Sequence, residues 1–92
     1  SGVLETPLTR PEQVGSLELG GIVIQHQPLD EADLADVESL ARDGIAVFEA
    51  TDLPAPVVAT AWLFKLTCDD VDVDALRTFA DARLGEGPGA DG

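Results

Sequence analysis

Residues 20–50 decide the fold, and they read GGIVIQHQPLDEADLADVESLARDGIAVFEA. A β-branched run follows the two glycines and stops before a proline, which predicts a buried strand. Asp30 then offers a side-chain oxygen to the first amides of a helix, whose apolar residues recur at helical spacing as far as Asp43. Gly44 is free to take the positive φ that ends a helix, and a second strand begins at Ile45. Such a strand–helix–strand unit favours parallel strands joined by a right-handed crossover.

The chain beyond this unit predicts one more strand and one more helix. Residues 57–68 form the longest apolar run, and we interpret them as a single third strand, antiparallel to the second because the link is short. An acidic start at Asp72 leads into an amphipathic helix that stops at Gly85. The order β-α-β-β-α predicts an α+β two-layer sandwich. Its mixed three-stranded sheet carries two helices on one face, as in the ferredoxin-like type without the last strand.

The two ends of the chain have a different character from its middle. Residues 1–13 contain two prolines and no periodicity, so we expect an irregular N-terminal segment. Residues 14–84 form the single α+β domain, and residues 85–92, rich in glycine, form a disordered tail. The chain starts at Ser1 without a methionine, which is compatible with a removed upstream segment. The expected location is therefore either extracytoplasmic, after loss of an N-terminal anchor, or cytoplasmic.

The charge balance excludes several classes of partner. Eighteen acidic residues face five basic ones, which gives a net charge of −13. Binding to phosphate backbones needs Lys and Arg, so we expect no nucleic-acid partner. No apolar stretch approaches the roughly 18 residues of a spanning helix, so we expect no membrane insertion within this segment. The acidic helix faces have three interpretations: a solvated surface, a docking surface for a basic protein partner, or mimicry of DNA.

His26 and Cys68 are the only imidazole and the only thiol of the chain. Both lie at the ends of predicted strands, where nucleophilic catalysis would need them about 3 Å apart. The alternative is a half-exposed histidine and a small buried thiol, since free cysteine is usually buried. We prefer this second interpretation, so an enzyme remains a distant alternative. One Cys and one His also fall short of a four-ligand zinc site.

The acidic run after the third strand has the alternation of a calcium-binding loop. Counted from Asp70, however, the positions that require Gly and Glu hold Ala75 and Asp81. The run is typical of a link and a helix N-terminus, where the helix dipole favours acids.

Three stretches of the chain carry a resemblance to a known family. The matching residues are Val14, Ser16, Leu17, Glu18, Gly20, Gly21-Ile22-Val23-Ile24, Leu53-Pro54-Ala55-Pro56-Val57, Ala61-Trp62, Leu76 and Phe79. They resemble an uncharacterised bacterial family, the domain of unknown function numbered 3105. Its members show Val-His-Ser-Leu-Glu-His-Gly before an apolar strand, and later Leu-x-x-Pro-Val running into Ala-Trp. The resemblance covers residues 14–84 and implies an extracytoplasmic domain anchored by an N-terminal membrane segment.

The chain departs from the pattern of that family at three positions. Gly15 and Leu19 stand in place of the two family histidines, and Leu63 stands where glycine is common. Two histidines four residues apart are able to share a metal ion, whereas Gly and Leu supply no ligand. We therefore expect no metal and no cofactor. Glu18, without its histidine neighbours, is interpreted as a buried polar anchor, and Trp62 as a core residue.

These observations lead to one function and two alternatives. The candidate binding residues are Glu18, His26, Trp62 and Cys68. Both faces of the predicted sheet are apolar, while two helices cover only one, so we expect a homodimer through the sheet unless the N-terminal segment covers the second face. The open edge of the third strand is a second route to pairing. The leading hypothesis is a small acidic non-enzymatic binding domain that self-associates. The alternatives are an acidic regulatory protein that docks on a basic partner and, more distantly, an enzyme using His26 and Cys68.

Overall fold

The computed structural model describes residues 2–85, and these form an α+β fold with a mixed sheet. The strands are β1 (Gly2–Val3), β2 (Ile22–His26), β3 (Ile45–Glu49), β4 (Val57–Ala61) and β5 (Phe64–Cys68). The helices are α1 (Arg10–Glu18), α2 (Glu31–Glu38) and α3 (Val73–Arg83). The α+β class agrees with the sequence, but the described residues hold five strands and three helices where three and two were predicted.

The strand order across the sheet is β1-β3-β2-β4-β5. β2 and β3 are parallel, with Ile22 opposite Ile45, which confirms the predicted parallel pair. β1 adds to β3 in parallel, whereas β4 is antiparallel to β2 and β5 is antiparallel to β4. β4 thus runs in the direction predicted for the third strand, but it pairs with β2 rather than with β3.

The helices α2 and α3 begin where the sequence indicated. Asp30 accepts from the Asp33 amide at 2.8 Å, and Asp72 accepts from the Ala75 amide at 3.0 Å, so each aspartate caps a helix start. α2 stops at Glu38, well before the predicted end, and the chain turns before entering β3 through a glycine with φ of 85°. The apolar residues between Glu38 and Asp43 therefore keep the helical spacing although this segment is not part of the helix.

One face of the sheet packs against α2 and α3. The buried residues of this cluster are Ile22, Ile24, Val37, Leu40, Ile45, Val47, Val57, Ala59, Ala61, Cys68, Leu76 and Ala80. We call the sheet surface that they share the helix face.

The prediction of an irregular segment over residues 1–13 is wrong at both ends. Gly2–Val3 pairs with β3, and α1 begins at Arg10. Thr9 and Glu12 form a reciprocal capping box, in which the Glu12 carboxylate accepts from the Thr9 amide at 2.8 Å. The capping box and a proline in the first turn thus favour a helix here, although its sequence lacks a clear apolar stripe.

The second face of the sheet lies under α1 and the segment that leads to it. Val23, Phe48 and Val58 are buried on this face, with exposed fractions of at most 2%. Leu17 of α1 lines the same surface as Lys65, a residue of this face. The N-terminal segment therefore covers the second sheet face. The expectation that this face is exposed and pairs with a second copy is wrong.

The predicted strand over residues 57–68 is a hairpin. Trp62 and Leu63 form its two-residue turn, in which Leu63 takes a φ of 69°. In a single strand Phe64 would lie on the same face as Trp62. Because the chain turns at residues 62 and 63, Phe64 instead pairs with Ala61 and lies on the helix face. A continuous apolar run concealed this turn because it contains no glycine or asparagine.

Of the predicted C-terminal tail, residues 86–92 lie outside the described residues. Gly85 is described; its amide donates to the Gly20 carbonyl oxygen at 2.7 Å and so joins the end of α3 to the start of β2.

Candidate functional site

The candidate residues of the sequence fall at two opposite ends of the sheet. His26 and Cys68 end β2 and β5, which run in the same direction. Glu18 ends α1, and Trp62 lies in the hairpin turn at the other end of the sheet. The four residues therefore do not form one site.

His26 and Cys68 occupy one row of the sheet but do not touch. His26 lies opposite Val57 in β4, and Val57 lies opposite Cys68 in β5. Two strand spacings separate the backbones of the two residues by about 10 Å. The His26 imidazole is buried rather than half-exposed, and its Nδ1 donates to the Gln27 carbonyl oxygen at 2.9 Å. The arrangement gives the thiol no imidazole as a base.

The Cys68 thiol is also poorly suited to act as a nucleophile. Burial raises its pKa, and the negative charges of Asp72 and Asp69 raise it further. The protonated thiol is the weaker nucleophile, so this environment disfavours covalent chemistry at neutral pH.

Acidic residues gather at the end of the sheet where β2, β3 and β5 finish. They follow these strands and begin α2 and α3: Asp30, Glu31, Asp33, Glu49, Asp69, Asp70, Asp72 and Asp74. Within residues 2–85, no group of three or more His, Cys, Asp or Glu side chains is arranged to hold a metal ion. In the described part of the chain, this acidic end is a concentration of negative charge and not a built cation site.

The opposite end of the sheet holds a small cleft of about 270 Å³. Its lining is Ser16, Leu19, Gly20, Gly21, Ile22, Gly44, Ala46, Leu84 and Gly85. Only one of these residues carries a polar side chain, so the cleft lacks the convergent polar groups that orient a small ligand. Glu18 is exposed beside it, contrary to the buried anchor expected from the sequence.

A broad concave surface lies between β5 and α3, and we call it the edge groove. It has a volume of about 640 Å³ and is lined by Leu66, Asp72, Asp74, Ala75, Thr78, Phe79, Ala82 and Arg83. Leu66 of β5 forms its floor and Phe79 of α3 its wall. Acidic side chains stand at one end and Arg83 at the other. β5 is an edge strand, because no other strand of residues 2–85 pairs with its outer side.

Exposed apolar side chains continue from the edge groove onto the hairpin turn. Leu63 is 83% exposed and Phe64 is 44% exposed, while the half-buried Trp62 lies beside them rather than in the core. Phe64 is covered on one side by the Arg83 guanidinium, which lies 3.6 Å from the ring centroid. The contact of Arg83 with Phe64 thus joins the edge groove to the start of the hairpin turn.

Comparison with known proteins places the chain in a family. A family model described as a protein of unknown function, DUF3105, matches residues 1–91. The chain belongs to the DUF3105 family. No curated protein and no solved structure matches it significantly.

The edge groove of this DUF3105 domain was missed by sequence reasoning. The sequence indicated an open edge on the third strand, but with residues 57–68 taken as one strand, neither the hairpin nor the position of Leu66 beside α3 was predicted. The signal that could have revealed it is Leu63, noted above at a position where glycine is common, because a glycine preference indicates a turn with positive φ. Gly15 and Leu19, by contrast, lie one helical turn apart at the end of α1 and supply no ligand.

No helix within residues 2–85 is both long and apolar enough to span a bilayer.

Proposed function

We propose that this domain is a non-enzymatic protein-interaction module that self-associates. The observation that carries the proposal is the open edge of β5. This strand has five residues, no proline and no bulge, and it borders the edge groove. A free strand edge next to apolar surface is a template for pairing with another chain.

The separation of the one imidazole of the chain from its one thiol supports the non-enzymatic part. His26 and Cys68 are held apart by Val57, and the pKa of the thiol is raised. A binding role asks for neither group.

The mass of the particle in solution tests this function. Light scattering or sedimentation at about 100 μM should give twice the 9.6 kDa of one chain, falling towards 9.6 kDa on dilution. Since each copy carries a net charge of −13, association should strengthen as salt rises from about 0.01 to 0.15 M, where the Debye length falls from about 30 to 8 Å. A 9.6 kDa particle throughout would contradict the proposal.

A second candidate function is docking on a basic protein partner. The acidic end favours it, because helix starts from α2 and α3 bring their carboxylates to the same end of the sheet. Such docking should show association rates that fall steeply with ionic strength. Asp70→Lys should weaken binding of a lysine-rich peptide more than Glu18→Lys, which makes the same charge change at the opposite end of the sheet. Equal effects would leave net charge alone as the cause and would reject the acidic end as a docking surface.

A further inference from the structure

We propose that the occupant of the edge groove is a second copy of this chain, paired β5 to β5 in antiparallel register about a two-fold axis at Leu66. This proposal rests on the self-association proposed above and names the surface that carries it. The pairing would join the two five-stranded sheets into one continuous sheet.

The hairpin fixes which backbone groups of β5 are available. Ala61 and Phe64 flank the two-residue turn and form its closing pair, so alternate residues of β5 bond to β4. The residues between them, Lys65 and Thr67, direct their amides and carbonyls towards the open edge. An axis at Leu66 sets Lys65 opposite Thr67 of the second copy. Two such pairs exchange four backbone hydrogen bonds.

This register also settles the side chains. Leu66 meets Leu66 of the second copy on the helix face, close to Phe79 from each α3. An edge lysine usually discourages strand pairing. Here Lys65 faces a threonine, whereas an axis at Lys65 would set two ammonium groups opposite each other. The lysine therefore disfavours the register centred on itself, and the contact between the two Leu66 side chains favours the axis at Leu66.

The charges along the groove favour the antiparallel direction. Arg83 lies at the Phe64 end of β5, and Asp69 and Asp72 lie at the Cys68 end, close enough to act on that thiol. Antiparallel pairing brings Phe64 next to Cys68 of the second copy, so Arg83 of each copy approaches the acidic pair of the other. Parallel pairing would set acid against acid. An isologous contact makes each attraction twice.

Charge exchange tests this interface. Arg83→Glu should weaken the dimer by about tenfold or more, because each dimer loses two attractions and gains two repulsions. Asp69→Arg should weaken it similarly, and the double variant Arg83→Glu/Asp69→Arg should restore most of the lost affinity. Arg77→Glu is the matched control: it lies on the same helix with the same charge change, but lines the other side of α3. Its dimer should be unchanged.

A disulfide across the two-fold axis tests the register. In a Cys68→Ser background, Leu66→Cys sets two thiols opposite each other with Cα atoms about 4.5 Å apart, within disulfide reach. Phe64→Cys in the same background sets the introduced thiols about 13 Å apart and should not cross-link. Oxidation should therefore give a covalent dimer for position 66 alone.

The outcomes separate this interface from the proposed function. A wild-type dimer that survives Arg83→Glu and does not cross-link through position 66 keeps self-association but overturns the β5 pairing. A wild-type chain that stays at 9.6 kDa overturns both. Circular dichroism of each variant shows whether a lost dimer reflects a lost fold, and restoration in the double variant excludes that cause.

Discussion

The guanidinium of Arg83 lies over the ring of Phe64, with 3.6 Å between its Cζ and the centroid of the ring. The contact joins the last turn of α3 to the first residue of β5. The loop that connects these two elements lies at their other end, between Cys68 and Val73. A cation over an aromatic ring at a partly exposed site contributes about 0.5–1 kcal/mol.

Arg83→Met tests this contact, because methionine keeps an apolar stem but has no charge. We expect the free energy of unfolding of the monomer to fall by about 0.5–1 kcal/mol, measured by urea titration at a concentration where no dimer forms. Arg77→Met, on the other side of α3, should change it little. Equal losses from both variants would show that general helix effects dominate.

Leu63→Gly should stabilise the hairpin. Leu63 holds a φ of 69° and is 83% exposed, so its side chain adds strain and little burial. A non-glycine residue in this region costs about 1–2 kcal/mol, of which glycine gives back about 0.5–1 through its own chain entropy. The melting temperature should rise relative to both wild type and Leu63→Ala, which keeps the strained φ. A lower melting temperature for Leu63→Gly would show that the leucine side chain makes stabilising contacts.

Two glycines near α1 should respond oppositely to alanine. Gly15 lies within the helix with open space around its missing Cβ, so Gly15→Ala should stabilise by about 0.5–1 kcal/mol. A Cβ at Gly21 would lie 2.8 Å from the Ser16 carbonyl oxygen, which is backbone and cannot yield easily. Gly21→Ala should therefore lower the melting temperature. Stabilisation by both changes would mean that the backbone after α1 moves enough to accommodate a Cβ at Gly21.

The capping box of α1 predicts an acid-sensitive helix. The Thr9 backbone amide, and then its side chain, lower the pKa of Glu12. Its stabilising effect is therefore complete above the ordinary glutamate pKa of about 4.3, and it disappears as pH falls through the lowered value. Glu12→Gln should reduce the loss of stability between pH 5 and pH 3, measured by chemical denaturation. Glu5→Gln removes the same charge outside the helix and should leave the loss unchanged; a matching reduction there would contradict the role of the cap.

Cys68 predicts a loss of stability on the alkaline side. Burial, followed by Asp72 and Asp69, raises the pKa of the folded thiol. The unfolded thiol therefore ionises first, at about pH 8.5, and the free energy of unfolding declines above that pH until the folded thiol also titrates. Cys68→Ala should flatten the decline between about pH 8 and 10, whatever its effect at pH 7. An unchanged slope would place the alkaline transition on other groups.

Local signals explain which parts of the fold could be predicted. The unit from Ile22 to Glu49 carries its own caps, β-branched runs and helical spacing, and its parallel pairing follows from general topology. β1 has only two residues, whose strand conformation depends on β3 rather than on their own preferences. The hairpin turn at Leu63 uses a residue that disfavours the conformation it adopts, so the residue type itself does not indicate the turn.

The candidate site was less predictable for the same physical reason. Burial of Cys68 could be expected from its residue type, but its separation from His26 depends on β4 entering between β2 and β5. The edge groove depends on both the hairpin and the position of α3, and neither Leu66 nor Phe79 carries chemistry that marks it in a sequence. Apolar residues that line a groove have the same pattern as those that fill a core.

The cover that α1 provides for the second sheet face is attached weakly. No residue of α1 is fully buried, and the only strand that precedes it has two residues. Because the apolar cluster of the helix face lies on the other side of the sheet, we expect opening of this cover to cost less free energy than global unfolding. We therefore expect two stability levels, a higher one for the layer beneath α2 and α3 and a lower one for the layer beneath α1. Each such opening exposes Val23, Phe48 and Val58 to solvent while the rest of the domain remains folded.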